Sequence, residues 1–193
     1  MDNNKFYGML KNIMDKYNVT ICENDVKKLL GISHFRVVCK GEILIGIDEP
    51  LKYTGLILDG ITRSYYLDTD GNDVTKGFGI VGGLCMDEGL FGYDKSICAC
   101  ETIEDTTVML METKMLKELC MENNELKMYI SISLNRHCTI RYTVRAVSLQ
   151  ATQPSVILHS EKSIRNYVNE QSSHILQPIS ELLPNHSAEF VKR

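Results

Sequence analysis

An α+β fold is predicted for this chain of 193 residues: an antiparallel roll of short strands, helices before it and one long helix after it. Three observations carry the prediction. From Phe35 to Met111, short apolar or alternating runs recur between turns rich in Gly and Asp. Ahead of them, Phe6, Met9, Leu10, Ile13, Met14 and Tyr17 fall at helical spacing. Behind them, residues 123 to 149 contain neither Pro nor Gly and read as one long helix.

The elements follow in order. KFYGMLKNIMDKY forms an amphipathic helix whose Met and aromatic stripe is assigned to packing. Asn24 or Asp25 caps a second helical piece, VKKLL, which ends at Gly31. The strand runs are FRVVCK, EILIG, TGLIL, ITRSYYL, DVTKGF, SICACET and TTVMLM. Thr54 to Phe78 reads as a tight β-meander: TGLIL, an Asp59-Gly60 turn, ITRSYYL, the turn Asp68 to Asp73, then VTKGF. Thr113 to Cys120 is helical. In the last helix Leu126, Ile130, Ser133, His137, Ile140, Val144 and Val147 alternate by four and three, a heptad seam. Such a seam predicts a parallel homodimer, or packing of the helix back on its own roll; the two are compatible.

This order of pieces resembles the β-roll of the cyclic-nucleotide-binding superfamily. It is similar, more narrowly, to the Crp/Fnr-type bacterial transcription regulators. The resemblance rests on the strand, Asp-Gly, Arg-Ser-Tyr strand, Asp-rich turn and Gly-Phe strand, with Lys40-Gly41-Glu42 before them and Glu101 to Thr106 after them. It implies a jelly-roll-like sensor domain over residues 1–120, a dimerisation helix over 121–150, and an atypical tail over 151–193 where the family carries a winged helix-turn-helix.

In that family the segment between the strands GFGI and SICAC is the phosphate-binding cassette, here Gly82 to Ser96. The resemblance implies a ligand site at Asp87, Glu88, Gly89, Leu90, Lys95 and Ser96, with Arg141 of the long helix reaching toward it. A cyclic phosphate wants backbone N–H groups and a cation, and its ribose wants a carboxylate acceptor. Asp87 or Glu88 would be the acceptor, Lys95 the cation and Ser96 a hydroxyl donor. The match is partial. Met86-Asp87 stands where the family's nucleotide binders have Gly-Glu, and Lys95 where they have Arg, whose bidentate phosphate contact an ammonium cannot make. A cyclic nucleotide is thus the implied ligand class with its contacts only partly matched, and the effector itself is unknown.

Other functions find less support. Seven cysteines are scattered without C-x-x-C pairs; Cys98 and Cys100 share a strand face and read as small buried residues rather than a metal or redox pair. No metal site is expected. Of five histidines only His34 is near the roll, and neither G-x-S-x-G nor a phosphate loop occurs, so an enzyme is not expected. A net charge of −4 argues against strong DNA binding by this chain itself. With no long apolar run and no signal-peptide pattern, a cytoplasmic protein with no membrane partner is expected.

The tail after Ser155 lacks a helix-turn-helix in its own frame. Taking the third base of each codon with the first two of the next, and choosing synonymous codons freely, permits a reading that opens ERY and contains YLGITPESLSRIRK. That resembles the family's missing helix, turn and recognition helix. The expectation is therefore the ligand-sensing and dimerisation part of a Crp/Fnr-type regulator, its DNA-binding module absent or out of frame. DNA would be a partner only of a full-length, in-frame relative. The alternative is a stand-alone small-molecule-binding module, or a dominant-negative one that dimerises with an intact relative.

Overall fold

The structure, a computed structural model, describes residues 3–134. Helices α1 (Asn3–Lys16) and α2 (Glu23–Gly31) precede strands β1 (Ser33–Val38), β2 (Ile43–Ile45), β3 (Tyr53–Asp59), β4 (Thr62–Leu67), β5 (Asp73–Gly79) and β6 (Leu84–Cys85). A 3₁₀ turn (Glu88–Phe91), β7 (Ala99–Thr102), β8 (Thr106–Glu112) and α3 (Thr113–Glu122) follow. A further helix, α4, starts at 124 and is described to 134. Asn123 caps it, its Oδ1 accepting the Leu126 N–H at 2.7 Å. The later part of the expected long helix, with Arg141, His137, Ile140, Val144 and Val147, lies outside the described residues, as does the tail. No described helix is long and apolar enough to cross a membrane.

The fold is the expected antiparallel β-roll with flanking helices, but its pairing corrects the meander. Two four-stranded sheets form, in orders β1-β8-β3-β6 and β2-β7-β4-β5. Only β4 and β5 make the hairpin read from the sequence; β3 pairs with β8 and β6 instead. Asp59-Gly60 therefore carries the chain from one sheet to the other. Gly60 sits at φ +91, and a Cβ there would lie 2.7 Å from the Asp105 carbonyl oxygen, so the crossing is built around its missing side chain. A smaller correction concerns α2: its N-cap is Cys22, not Asn24 or Asp25, and the Cys22 thiol donates to Asp25 Oδ2 at 2.9 Å.

Alternation along the β1-β8-β3-β6 sheet divides the interior into two cores. Leu56 and Leu58 of β3, Met109 and Met111 of β8, and Leu84 of β6 pack with α1, α2, α3 and α4. Their neighbours Ile57, Val108, Leu110 and Cys85 turn the other way, into the roll, beside Ile45, Leu51, Met86 and Cys100. A strand buried on both faces has no polar side, which is why residues 56–58 and 108–111 are apolar without a break. The α1 stripe behaves as read: Phe6, Leu10, Ile13, Met14 and Tyr17 are buried, and Phe6 stacks on Phe35 of β1.

On the outer face, Arg63 ties β4 to both neighbours. Its guanidinium meets Asp73 of β5 at 2.7 Å and Glu101 of β7 at 2.9 Å, and its Nε donates to Thr75 Oγ1 at 2.8 Å. The Arg63 hydrogen bond holds the Asp73 carboxyl below its ordinary range. A depressed folded value contributes stability above the ordinary aspartate range, lost as pH falls through that depressed value. Arg63→Ala should therefore destabilise the protein at neutral pH, and its deficit against the parent should shrink as the pH is lowered. Urea unfolding across a pH series checks this; a deficit independent of pH would remove Asp73 from the account.

Candidate functional site

The segment singled out by sequence lies at the mouth of the inner core. After β6, Met86 adopts φ 54, a left-handed conformation that costs a side-chain-bearing residue about 1 kcal/mol. This is the position where the resemblance places Gly, the residue that suits such a conformation. Asp87, Glu88 and Gly89 are buried, Leu90 is half-buried, and Gly92 at φ 93 ends the 3₁₀ turn.

The structure brings Glu88 to an unanticipated partner. Lys76 Nζ of β5 lies 3.1 Å from Glu88 Oε1, with only 19% and 11% of the two side chains exposed. Asp73 and Thr75 bond Arg63 on the outer face of β5, and the register shift between Gly77 and Thr75 leaves Lys76 as the extra residue of a β-bulge, its side chain aimed at Glu88. Cys98 lies beside the same pair: burial raises its thiol, and the Lys76 ammonium opposes that rise. Deeper in, a hydrogen bond with Cys100, then burial, hold the Cys85 thiol well up. Cys98 and Cys100 are both buried, as read from the sequence. Among the described residues no group of three or more His, Cys, Asp or Glu could hold a metal ion.

Lys95 and Ser96 do not join the cluster together. Residues 94–96 run extended against 48–51: the Leu51 N–H reaches the Asp94 carbonyl at 2.9 Å, and the Ser96 N–H the Glu49 carbonyl at 2.8 Å. Successive side chains along an extended segment point to opposite faces. Ser96 is buried and its hydroxyl donates to the Cys98 carbonyl, whereas Lys95 is 62% exposed and 3.7 Å from Asp48 Oδ1. The cation of the cluster is Lys76, not Lys95. The strand period could not have found it, because the register shifts at Lys76 and alternation no longer fixes which face its side chain takes.

The described start of the seam packs within the chain. Leu126, Ile130 and Ser133 are buried within this chain, together with Tyr129, which was not singled out. They face the roll because α4 is tied to the loop before β6: the Gly82 carbonyl accepts from Tyr129 Oη at 2.8 Å and Ser133 Oγ at 3.2 Å. Tyr129 also meets the Tyr17 ring edge-on, and a Cβ on Gly82 would lie 2.8 Å from that ring. Over 126–133 the apolar face thus packs back on the roll, the second of the two compatible readings of the seam. The described outward face of α4 carries Met128, 46% exposed, while half-buried Ile132 packs against the helical core.

The loop 80–83 thus joins α4 to the segment that carries Glu88.

Comparison with solved structures places the architecture. The c-di-GMP responsive global regulator CLP of Xanthomonas campestris superposes with a TM-score of 0.58 at 15% identity, over 68% of this chain and 66% of that one. The catabolite activator protein of Thermus thermophilus gives 0.53 at 15% identity, over 68% and 61%. The sensor domain of the transcriptional regulator DNR of Pseudomonas aeruginosa gives 0.56 at 12% identity, over 78% of this chain and 97% of that one. The chain therefore has the β-roll fold of Crp/Fnr-type regulators and cyclic-nucleotide-binding proteins, and spans under two thirds of the length of the first two. No protein-family model matches the sequence, and no curated relative does.

Proposed function

We propose that this chain is the effector-sensing module of a Crp/Fnr-type transcription regulator, acting by binding and not by catalysis. The observation that carries the reading is the buried Lys76–Glu88 pair on a segment hydrogen-bonded to α4 through Gly82. An effector that engages the pair moves the 3₁₀ turn, the turn moves the loop 80–83, and the loop shifts α4. Such a route is a two-site coupling, with the ligand's differential contacts as its source.

The pair also bears on the ligand. A cyclic phosphate would have to take Lys76 from Glu88 and leave a buried carboxylate uncompensated, which is costly. A neutral, hydrogen-bonding effector that bridges Lys76, Glu88 and Cys98 avoids that cost. We assign dimerisation to the long helix read from the sequence over 121–150. The DNA-reading module is assigned to the shifted frame after Ser155, which the nucleotide sequence of the gene tests directly.

The decisive experiment is a thermal-shift panel of cyclic nucleotides and uncharged metabolites. The expected result is stabilisation by an uncharged compound, lost in Lys76→Met and kept in Lys95→Ala. Saturable binding of a cyclic nucleotide that depends on Lys95 would overturn the assignment.

A further inference from the structure

The back of the 3₁₀ turn opens on a second concavity, unrelated to the inner cluster. It holds about 460 Å³ and lies between Gly89, Gly92 and Tyr93 on one side and the residues where β8 passes into α3 on the other. That volume is in the range of small-molecule sites. Lys52, Lys114 and Lys117 line it, and none of the three makes an ion pair among the described residues. Lys114 and Lys117 stand three apart on α3 and so share a face. Asp94 and Glu112 are the only carboxylates in the lining, which leaves one net positive charge. Tyr53 and Tyr93 border it, 40% and 52% exposed, and the Tyr53 ring is held edge-on by His34 at 4.9 Å.

We propose that this outer cleft binds a small phosphate-bearing metabolite with two or more negative charges, at a site distinct from the effector cluster. Three ammonium groups set against two carboxylates, none of the three in an ion pair among the described residues, leave a positive excess that a multiply charged anion relieves as it binds. The tyrosine rings and hydroxyls offer a face and donors to the uncharged part of the ligand. The site does not rest on the end of α3, since the Thr113 N–H is already donated to the Lys52 carbonyl at 3.0 Å. Glycines at 89 and 92 bring backbone to the rim, and a Cβ on Gly89 would press on Thr113 Cγ2 at 3.0 Å. An occupant therefore touches the outer side of the turn whose inner side carries Glu88.

ADP is a suitable probe, with adenosine as the uncharged control, titrated calorimetrically at physiological ionic strength. Saturable ADP binding is expected, weakened about tenfold or more, roughly 1.4 kcal/mol, by Lys114→Glu with Lys117→Glu. It should be unchanged in Lys95→Glu, which alters an exposed lysine outside the cleft. In the unsubstituted protein, amide resonances of Gly89, Gly92 and Thr113 should shift on ADP addition, which keeps the test independent of how the variant folds. Absence of saturable binding at millimolar ADP would overturn the proposal. So would equal binding of adenosine, equal weakening by Lys95→Glu, or shifts confined to residues away from the cleft. None of these outcomes bears on Lys76, so the effector reading stands or falls separately.

Discussion

Tyr129→Ala is expected to cost about 3–5 kcal/mol of stability, the range for deleting a large buried aromatic side chain. Tyr129 is 1% exposed, packs with the helical core, and is among the largest fully buried side chains of the described residues. Its hydroxyl and its ring can be separated by experiment. Tyr129→Phe keeps the ring and removes one donor to the Gly82 carbonyl, which retains Ser133 Oγ, so the loss should be only about 1 kcal/mol. Ser133→Ala should be similarly mild, because Tyr129 then serves the same carbonyl. The double variant strips that carbonyl of both side-chain donors and should lose more than the two single losses combined. Urea unfolding of the four proteins closes the cycle. Strict additivity would mean that the two hydroxyls act independently and that Gly82 is not the joint between loop and helix.

Lys76→Met is expected to cost about 2–4 kcal/mol, because it leaves the Glu88 carboxylate without its cation in a site where neither side chain is well hydrated. Glu88→Gln should cost less, since the amide oxygen can still accept from the ammonium. Replacing both partners, Lys76→Met with Glu88→Leu, should recover much of the loss and could exceed the parent in stability. Buried ion pairs often yield to apolar pairs in this way. Denaturant midpoints of the three variants decide the matter. If the double variant is as unstable as Lys76→Met, the cost arises from packing around Met86 and Cys98, not from the uncompensated charge. The same double variant should lose the effector response even where its stability is restored, which separates a sensing role from a structural one.

Local pattern carried much of the fold into view before any coordinates. The α1 stripe, the strand runs, the hairpin over the Asp68–Asp73 turn and the helix beginning near 124 all follow from spacing, turn residues and the lack of breakers. Each depends on neighbours within a few residues, so the amino-acid order specifies it directly. Burial of Asp87 and Glu88 was consistent with the segment picked out for the site. Partners were another matter. TGLIL reads equally well as the first strand of a meander or as a central strand, and its pairing with β8 joins residues far apart in the chain, such as Tyr53 and Glu112. Lys95 and Lys76 are both lysines near the cassette, and only the pairing of 94–96 with 48–51 turns one outward while the register shift in β5 goes with the other's approach to Glu88. In α4 a heptad seam states that one face is apolar without stating what covers it; the two hydroxyls that meet at Gly82 commit 126–133 to this chain's own roll. Sequence by itself determined which elements exist and which residues are apolar, because backbone preference and side-chain period are short-range. Tertiary structure decided which strand, cation and helix face meet, because those contacts depend on groups far apart in the chain competing for the same buried space.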